Sequence, residues 1–296
     1  MSHKPTVGAQ WSVAGLSRET ARVGLDGDAA LPLRRIGGRA LLQTYVRALQ
    51  AQVAGTPATI DAPAIVFDTG GPSYAAGSAR SRIATMTGLP VEFAKDTTAA
   101  CAAELVMGQG RGIHNFLYLF VGTFIGGGLV IDGRLHAGPH DNAGAVGSIP
   151  LRDGSPRNPA RQLLHAASGF VLEQLLSDTG APPAAAHDHR ALSPDLWRLT
   201  EQWLDTACPA IANALTNAAA LLDLEAVVID GELDRQLVRE VIRRTERVLD
   251  RFEWEGMVRP QLLEGTIGAD ARAMGGAILP LYAHFAPVHE LFLKDR

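Results

Sequence analysis

A carboxylate at a structural junction, a run of glycines and a few polar turn residues are the side chains in this sequence best placed to do chemistry. Asp96 follows a short apolar stretch and precedes the alanine-rich run TTAACAAELVM. At a strand-to-helix junction such a carboxylate can cap the helix or face a ligand. Residues 122–128 read GTFIGGG between two apolar runs. Glycines there let backbone N–H groups approach an anion with no Cβ in the way, as a phosphate loop requires, although an ordinary tight hairpin has the same composition. Asp68, His140 and Asn142 lie in or beside Gly-rich turns that can line a cleft. Taken alone, each is more simply a turn or cap residue.

The elements that must hold these residues follow from periodicity and turn chemistry. Residues 6–13 and 21–25 read as the strands of an opening hairpin, and 39–54 as a helix with Leu41, Leu42, Tyr45, Val46, Leu49 and Val53 on one face. A short strand over 64–67 runs into Asp68-Thr69-Gly70-Gly71-Pro72, which stops regular structure. A helix over 79–87, a strand over 91–93 and a helix over 97–107 follow, so Asp96 sits between the last two. Two strands, 116–121 and 128–131, flank the glycines. Turn formers over 153–159 suggest a crossing between domains. Beyond it the spacing predicts helices over 161–177, 193–223, 233–252 and 265–285, with one strand over 226–229 that ends at Asp230-Gly231. Trp197, Trp203 and Trp254 fall on helical segments and read as core or interface anchors.

Composition narrows the function. A chain of 296 residues, 47% hydrophobic and 20% charged, can bury one sizeable core or two smaller ones. Its net charge of −4 and lack of a Lys/Arg run argue against direct nucleic-acid binding. Two distant cysteines, Cys101 and Cys208, form neither a zinc pattern nor a disulfide framework and suit a reducing cytoplasm. No apolar run reaches the length of a membrane span, and the N-terminus lacks a signal-peptide core, so a soluble cytoplasmic protein is expected.

The stretch from Lys95 to Ser148, KDTTAACAAELVMGQGRGIHNFLYLFVGTFIGGGLVIDGRLHAGPHDNAGAVGS, resembles the central signature of the ROK family of bacterial sugar kinases and sugar-responsive repressors. An Asn-Asp-Ala-Asn-type junction, a Gly-Thr-Gly-Ile-Gly-Gly-Gly-type hairpin and a Gly-Glu-Ile-Gly-His-type sugar segment keep their order and spacing. VGAQWSVAGLSRETARVGLDG, AVVIDGELD and EGTIGADARAMGGAILPLY extend the likeness in both directions. The resemblance implies an α/β chain with the two-lobed actin-like ATPase fold. Its N-terminal lobe would span 1–95, with a closing helix near 286–296 packed back on it, and a larger lobe over 96–285 would carry the hairpin and the dimerisation helices. It further implies that Asp96 is the general base that deprotonates the attacking sugar hydroxyl. Asp96, Asn142, Gly144, Ser148 and Asp68 would line the sugar; Gly122, Thr123, Gly126, Gly127, Asp230 and Gly231 would border the nucleotide and its phosphates; the partners would be a sugar-like ligand and a second copy of the chain.

Several positions depart from the family pattern. Lys95 stands where Asn usually precedes the Asp, and Phe124 replaces a glycine at the hairpin tip. The phosphate loop Asp-x-Gly-Gly-Thr aligns with Gln10-Trp11-Ser12-Val13-Ala14, which has neither carboxylate nor paired glycines. The sugar-gripping Glu and His align with Ala145 and Ser148, and the cysteine-rich zinc segment is absent. No metal site and no structural zinc are therefore expected, and His165, a lone His on a helix, reads as a packed or surface residue. Lost phosphate donors favour a sugar sensor related to ROK regulators, without efficient catalysis. The regulators' helix-turn-helix has no counterpart here, which favours the alternative, an ATP- and Mg²⁺-dependent sugar kinase.

Overall fold

In the computed structural model, residues 8–12, 64–68, 92–151 and 161–285 are described. The chain divides into two compact units, Met1–Ala102 with Arg272–Arg296, and Ala103–Ala271. The expected second hairpin strand at 21–25, the helices at 39–54 and 79–87, the crossing at 153–159 and the closing stretch 286–296 lie outside the described residues.

In the first unit, β1 (Gly8–Ser12), β2 (Ala64–Asp68) and β3 (Glu92–Ala94) form a parallel sheet in the order β1-β2-β3. Parallel pairing needs a crossover between successive strands, and 51 and 23 residues separate them, counting 13–63 and 69–91. β3 runs into α1 (Asp96–Met107), whose first helical bond is from the Ala99 amide to the Lys95 carbonyl, 2.9 Å. Ala99, Ala100, Cys101 and Ala102 are fully buried, because their small side chains admit close neighbours. One such neighbour is Gly275 on α6 (Ala271–Phe285): a Cβ there would run into the Ala99 carbonyl.

The second unit is built on a five-stranded mixed sheet. β4 (Phe116–Val121) and β5 (Ile125–Ile131) are antiparallel, β6 (Arg134–Leu135) continues beyond β5, and β9 (Ala226–Gly231) and β10 (Gln261–Glu264) run parallel to β4 on its other side. Every residue of β4 and β9 is buried, as the unbroken apolar runs FLYLFV and AVVI demand of central strands. Leu117, Leu119, Val121, Val227 and Ile229 share a core with three helices, α3 (Gly169–Asp178), α4 (Trp197–Leu222) and α5 (Arg235–Leu249). The remaining elements are β7 (Pro150–Leu151), β8 (Arg161–Gln162) and the short α2 (Leu164–Ala167).

α4 places Trp203, Leu204, Ala207, Ile211 and Leu215 inward at helical spacing. Trp203 is fully buried, and its indole N–H donates to the Ser168 carbonyl at 3.2 Å. Trp197 lies under the Arg244 guanidinium, 5.8 Å from ring centroid to Cζ, and Arg244 also reaches Glu201, Asp205 and Glu240, tying α4 to α5. Burial pushes the Cys208 thiol up to about 11, so it packs as a small apolar group.

Several sequence expectations change, and Trp254 lies beyond the end of α5 instead of on a helix. β5 begins at Ile125, not 128, because Gly126 and Gly127 pair with Phe120 and Leu119 in the ladder. The helix expected over 161–177 is broken into β8, α2 and α3, with Ser168 extended at ψ 153° between the two helices. β10 escaped notice because QLLE is too short to show an alternating pattern, and the helix expected from 265 starts at Ala271. Among the described residues, no helix is long and apolar enough to cross a membrane.

Candidate functional site

Asp96 is the first residue of α1 and is 5% exposed. Its Oδ1 accepts the Thr97 N–H at 2.6 Å, and its Oδ2 faces the Arg272 Nη1 at 3.3 Å. Two donors from different elements thus fix the carboxylate plane. An ionised carboxylate has about four lone-pair directions, so each oxygen keeps one for a further donor such as a hydroxyl. A general base needs that geometry before its acidity matters.

The glycine hairpin is shorter and more tightly held than its sequence suggested. Its tip is Gly122-Thr123-Phe124, closed by a Gly122 N–H to Phe124 carbonyl bond of 2.9 Å. The start of α3 docks on it: the Gly169 amide donates to the Gly122 carbonyl at 2.8 Å and the Phe170 amide to the Thr123 carbonyl at 3.0 Å. Gly169 must be glycine, since a Cβ would stand 2.5 Å from the Gly122 oxygen. Phe124 stacks on Phe170, with centroids 6.5 Å apart and planes at 15°. Among the described residues the amides of Thr123 and Phe124 have no acceptor, leaving two adjacent N–H groups at the tip beside a helix N-terminus. Gly126 and Gly127 lie instead in β5, where Gly127 packs so closely that a Cβ would meet Tyr118 and, at 3.0 Å, the Gly144 oxygen.

Asp230 and Gly231 end β9 and do not form a turn after it. Asp230 is fully buried; its carboxylate pairs with Arg235 at 2.6 Å, accepts the Gly268 N–H at 2.9 Å and lies 3.4 Å from the Tyr118 hydroxyl. Those donors occupy both carboxylate oxygens, so its evident work is to fix the turn before α6. Gly231 sits opposite Val121, whose backbone leaves no space for a Cβ.

In the segment matching the family's sugar motif, Gly144 has φ 72° and rests on Gly128, with a would-be Cβ 2.8 Å from the Gly128 Cα. Its glycine is required twice over, by conformation and by space. Asn142 and Ser148 are exposed, and neither side chain has a hydrogen-bond partner among the described residues. Asp68 is the last residue of β2, in register with Ser12. His165 accepts the Gln162 amide on Nδ1 at 3.2 Å, a local packing role.

Three residues at or near these features were not singled out from sequence. Glu104, fully buried on α1, accepts amides of Gln109 and Thr266, each at 2.6 Å, and of Ile267 at 3.0 Å. Burial pushes its pKa above the ordinary range, and those three bonds only partly offset it. Glu173 on α3 accepts the Thr123 hydroxyl at 2.8 Å and pairs with His187 at 2.7 Å. Burial raises the Glu173 pKa, but the His187 and Thr123 bonds and the His187 charge outweigh it, and the net shift is downward. The only sequence signal for Glu104 is an acid inside an apolar, alanine-rich helix; Glu173 and His187 carry none.

The ROK family model matches residues 40–282. The bifunctional enzyme NanE/NanK of Brucella melitensis is 30% identical over 216 residues, which are 70% of this chain and 38% of that protein. The N-acetylmannosamine kinase of Vibrio vulnificus is 28% identical over 183 residues, 58% of this chain and 59% of that one. The chain thus spans between 38% and 59% of the length of these curated relatives. Among solved structures, the ROK hexokinase from Thermus thermophilus matches with a TM-score of 0.64 at 23% identity, over 86% of this chain and 90% of that one. A ROK family transcriptional regulator, a homolog of the E. coli MLC protein, matches with a TM-score of 0.61 at 21% identity, over 82% and 67%. At such identities the structural likeness establishes the fold alone. The family match, by contrast, runs through most of the sequence, and this chain belongs to the ROK family and carries its actin-like ATPase fold.

Proposed function

We propose that this chain binds a sugar and transfers to one of its hydroxyls the terminal phosphoryl group of ATP. Asp96 takes the hydroxyl proton as the oxygen attacks phosphorus, and the bond to the ADP oxygen breaks. The observation that carries this reading over a sensor is the hairpin tip, where the Thr123 and Phe124 amides stand without acceptors among the described residues, beside the N-terminus of α3. Such a pair fits a phosphate, and phosphoryl transfer depends chiefly on positioning and electrostatics of this kind. The kinase name of the Vibrio vulnificus relative supports the same reading. Mg²⁺ would arrive with the phosphates and screen their charge, as it does where a site offers few carboxylates. Asn142, Ser148, Gly144 and Asp68 are the proposed sugar-side residues; Asp230 and Gly231 support the nucleotide side indirectly, through the turn before α6.

Two departures from the family pattern favour a second reading, a sugar sensor without efficient turnover. Gln10 to Ala14 replace the family's first phosphate loop, and Ala145 replaces the carboxylate that grips sugar hydroxyls. Calorimetry with ATP-Mg²⁺ separates the two. The kinase reading expects micromolar binding; absence of heat at millimolar nucleotide, together with measurable sugar binding, would establish the sensor. Two buried cysteines suit a cytoplasmic setting. We further propose a homodimer, so light scattering should return about twice 31.4 kDa, and a monomer mass would refute it.

A further inference from the structure

The two free amides at the hairpin tip are useful to an anion only while the tip keeps its shape. Five contacts hold it, and one is a hydrogen bond to a side chain on another element: Glu173 Oε1 accepts the Thr123 hydroxyl at 2.8 Å and His187 Nε2 at 2.7 Å. A carboxylate only accepts, so both partners must donate to it. The Thr123 proton is then committed to Glu173 and is not available to a phosphate, which leaves the backbone amides as the anion donors. Glu173 and His187 are only 17% and 24% exposed at the side chain, and among the described residues His187 Nδ1 is buried without a partner. A carboxylate so near an anion site would repel the ligand unless its charge were shared, and His187 is placed to share it.

We propose that Glu173 is a positioning residue of the phosphate hairpin, locking Thr123 so that the Thr123 and Phe124 amides face the anion, and that His187 holds Glu173 in place and draws its charge away from the ligand. This rests on the kinase reading of the hairpin. Glu173 touches neither reacting atom, so its effect falls on nucleotide affinity and on hairpin order, not on the sugar.

Three proteins test it: the full chain, Glu173→Ala and Glu173→Gln, each titrated with ATP-Mg²⁺ and with N-acetylmannosamine, and each followed by hydrogen exchange over residues 121–127 without ligand. Glu173→Ala should bind ATP-Mg²⁺ about tenfold more weakly, with sugar affinity unchanged and hairpin exchange faster. Glu173→Gln keeps an oxygen for both donors and should bind nucleotide at least as tightly as the parent. Equal nucleotide affinity in the parent and Glu173→Ala overturns the proposal and leaves the kinase reading intact. Equal loss in Glu173→Gln and Glu173→Ala overturns the hydrogen-bond geometry proposed. If the parent binds no nucleotide the kinase reading falls, and hydrogen exchange then decides: faster exchange in Glu173→Ala supports the anchoring role, and unchanged exchange removes it.

Discussion

Asp96→Asn should lower kcat for ADP release by about 10²–10⁴ while leaving the sugar KM within a few-fold of the parent. The amide oxygen can still accept the Thr97 N–H that Oδ1 holds at 2.6 Å, so the start of α1 stays in place. It cannot take a proton, however, and its NH₂ would face the Arg272 guanidinium, donor against donor, where Oδ2 now stands at 3.3 Å. A coupled ADP assay on Asp96→Asn, with a calorimetric sugar titration, separates the two roles of this carboxylate. Turnover within tenfold of the parent would make Asp96 a structural residue of the helix start. Lost turnover with sugar binding kept would identify it as the base.

The second large effect belongs to a residue far less conspicuous in the sequence. Glu104→Ala should cost about 3 kcal/mol or more of stability, read from urea unfolding. The cost arises because the carboxylate is fully buried and meets three amides from two loops, those of Gln109, Thr266 and Ile267, which alanine would strand. Glu104→Gln should fall between: its oxygen can serve Thr266 and Ile267, but its NH₂ then points at the Gln109 amide.

Acidity provides a second readout of the same residue. Burial raises the Glu104 pKa above 4.5, so between 4.5 and its native value the folded chain holds more protons than the unfolded one. Its contribution is complete below 4.5 and is lost as pH rises through the native pKa. Glu173 has the opposite sign. Although burial opposes it, the bonds from His187 and Thr123 and the His187 charge bring its pKa below 4.5, so its contribution is present above 4.5 and is lost as pH falls through the native pKa. Unfolding curves should therefore lose one slope on the neutral side of 4.5 in Glu104→Gln and another on the acid side in Glu173→Gln. A parent and Glu104→Gln with parallel pH profiles would contradict the raised Glu104 pKa.

The α/β class, the family and the elements of one-sided composition are legible in the residues alone. β4 and β9 are unbroken apolar runs, α4 and α5 have strong helical periodicity, and Asp96 stands where an apolar strand meets an alanine-rich helix. Local signals suffice there because each element buries its own pattern. Glycine is a poorer guide: Gly126 and Gly127 look like loop in the sequence, yet they lie in β5, where Gly127 lets Gly144 and Val146 approach the strand. The same holds for Asp230-Gly231, a turn by composition and a strand end in fact, held by Arg235 and the Gly268 amide. Which distant groups satisfy one another is legible only in the folded chain. Glu104 meets Thr266 across 162 residues, Arg272 meets Asp96 across 176, and Glu173 meets Thr123 across 50. A buried carboxylate must find donors wherever the folded chain brings them, and nothing in the residues beside it in sequence says where that will be.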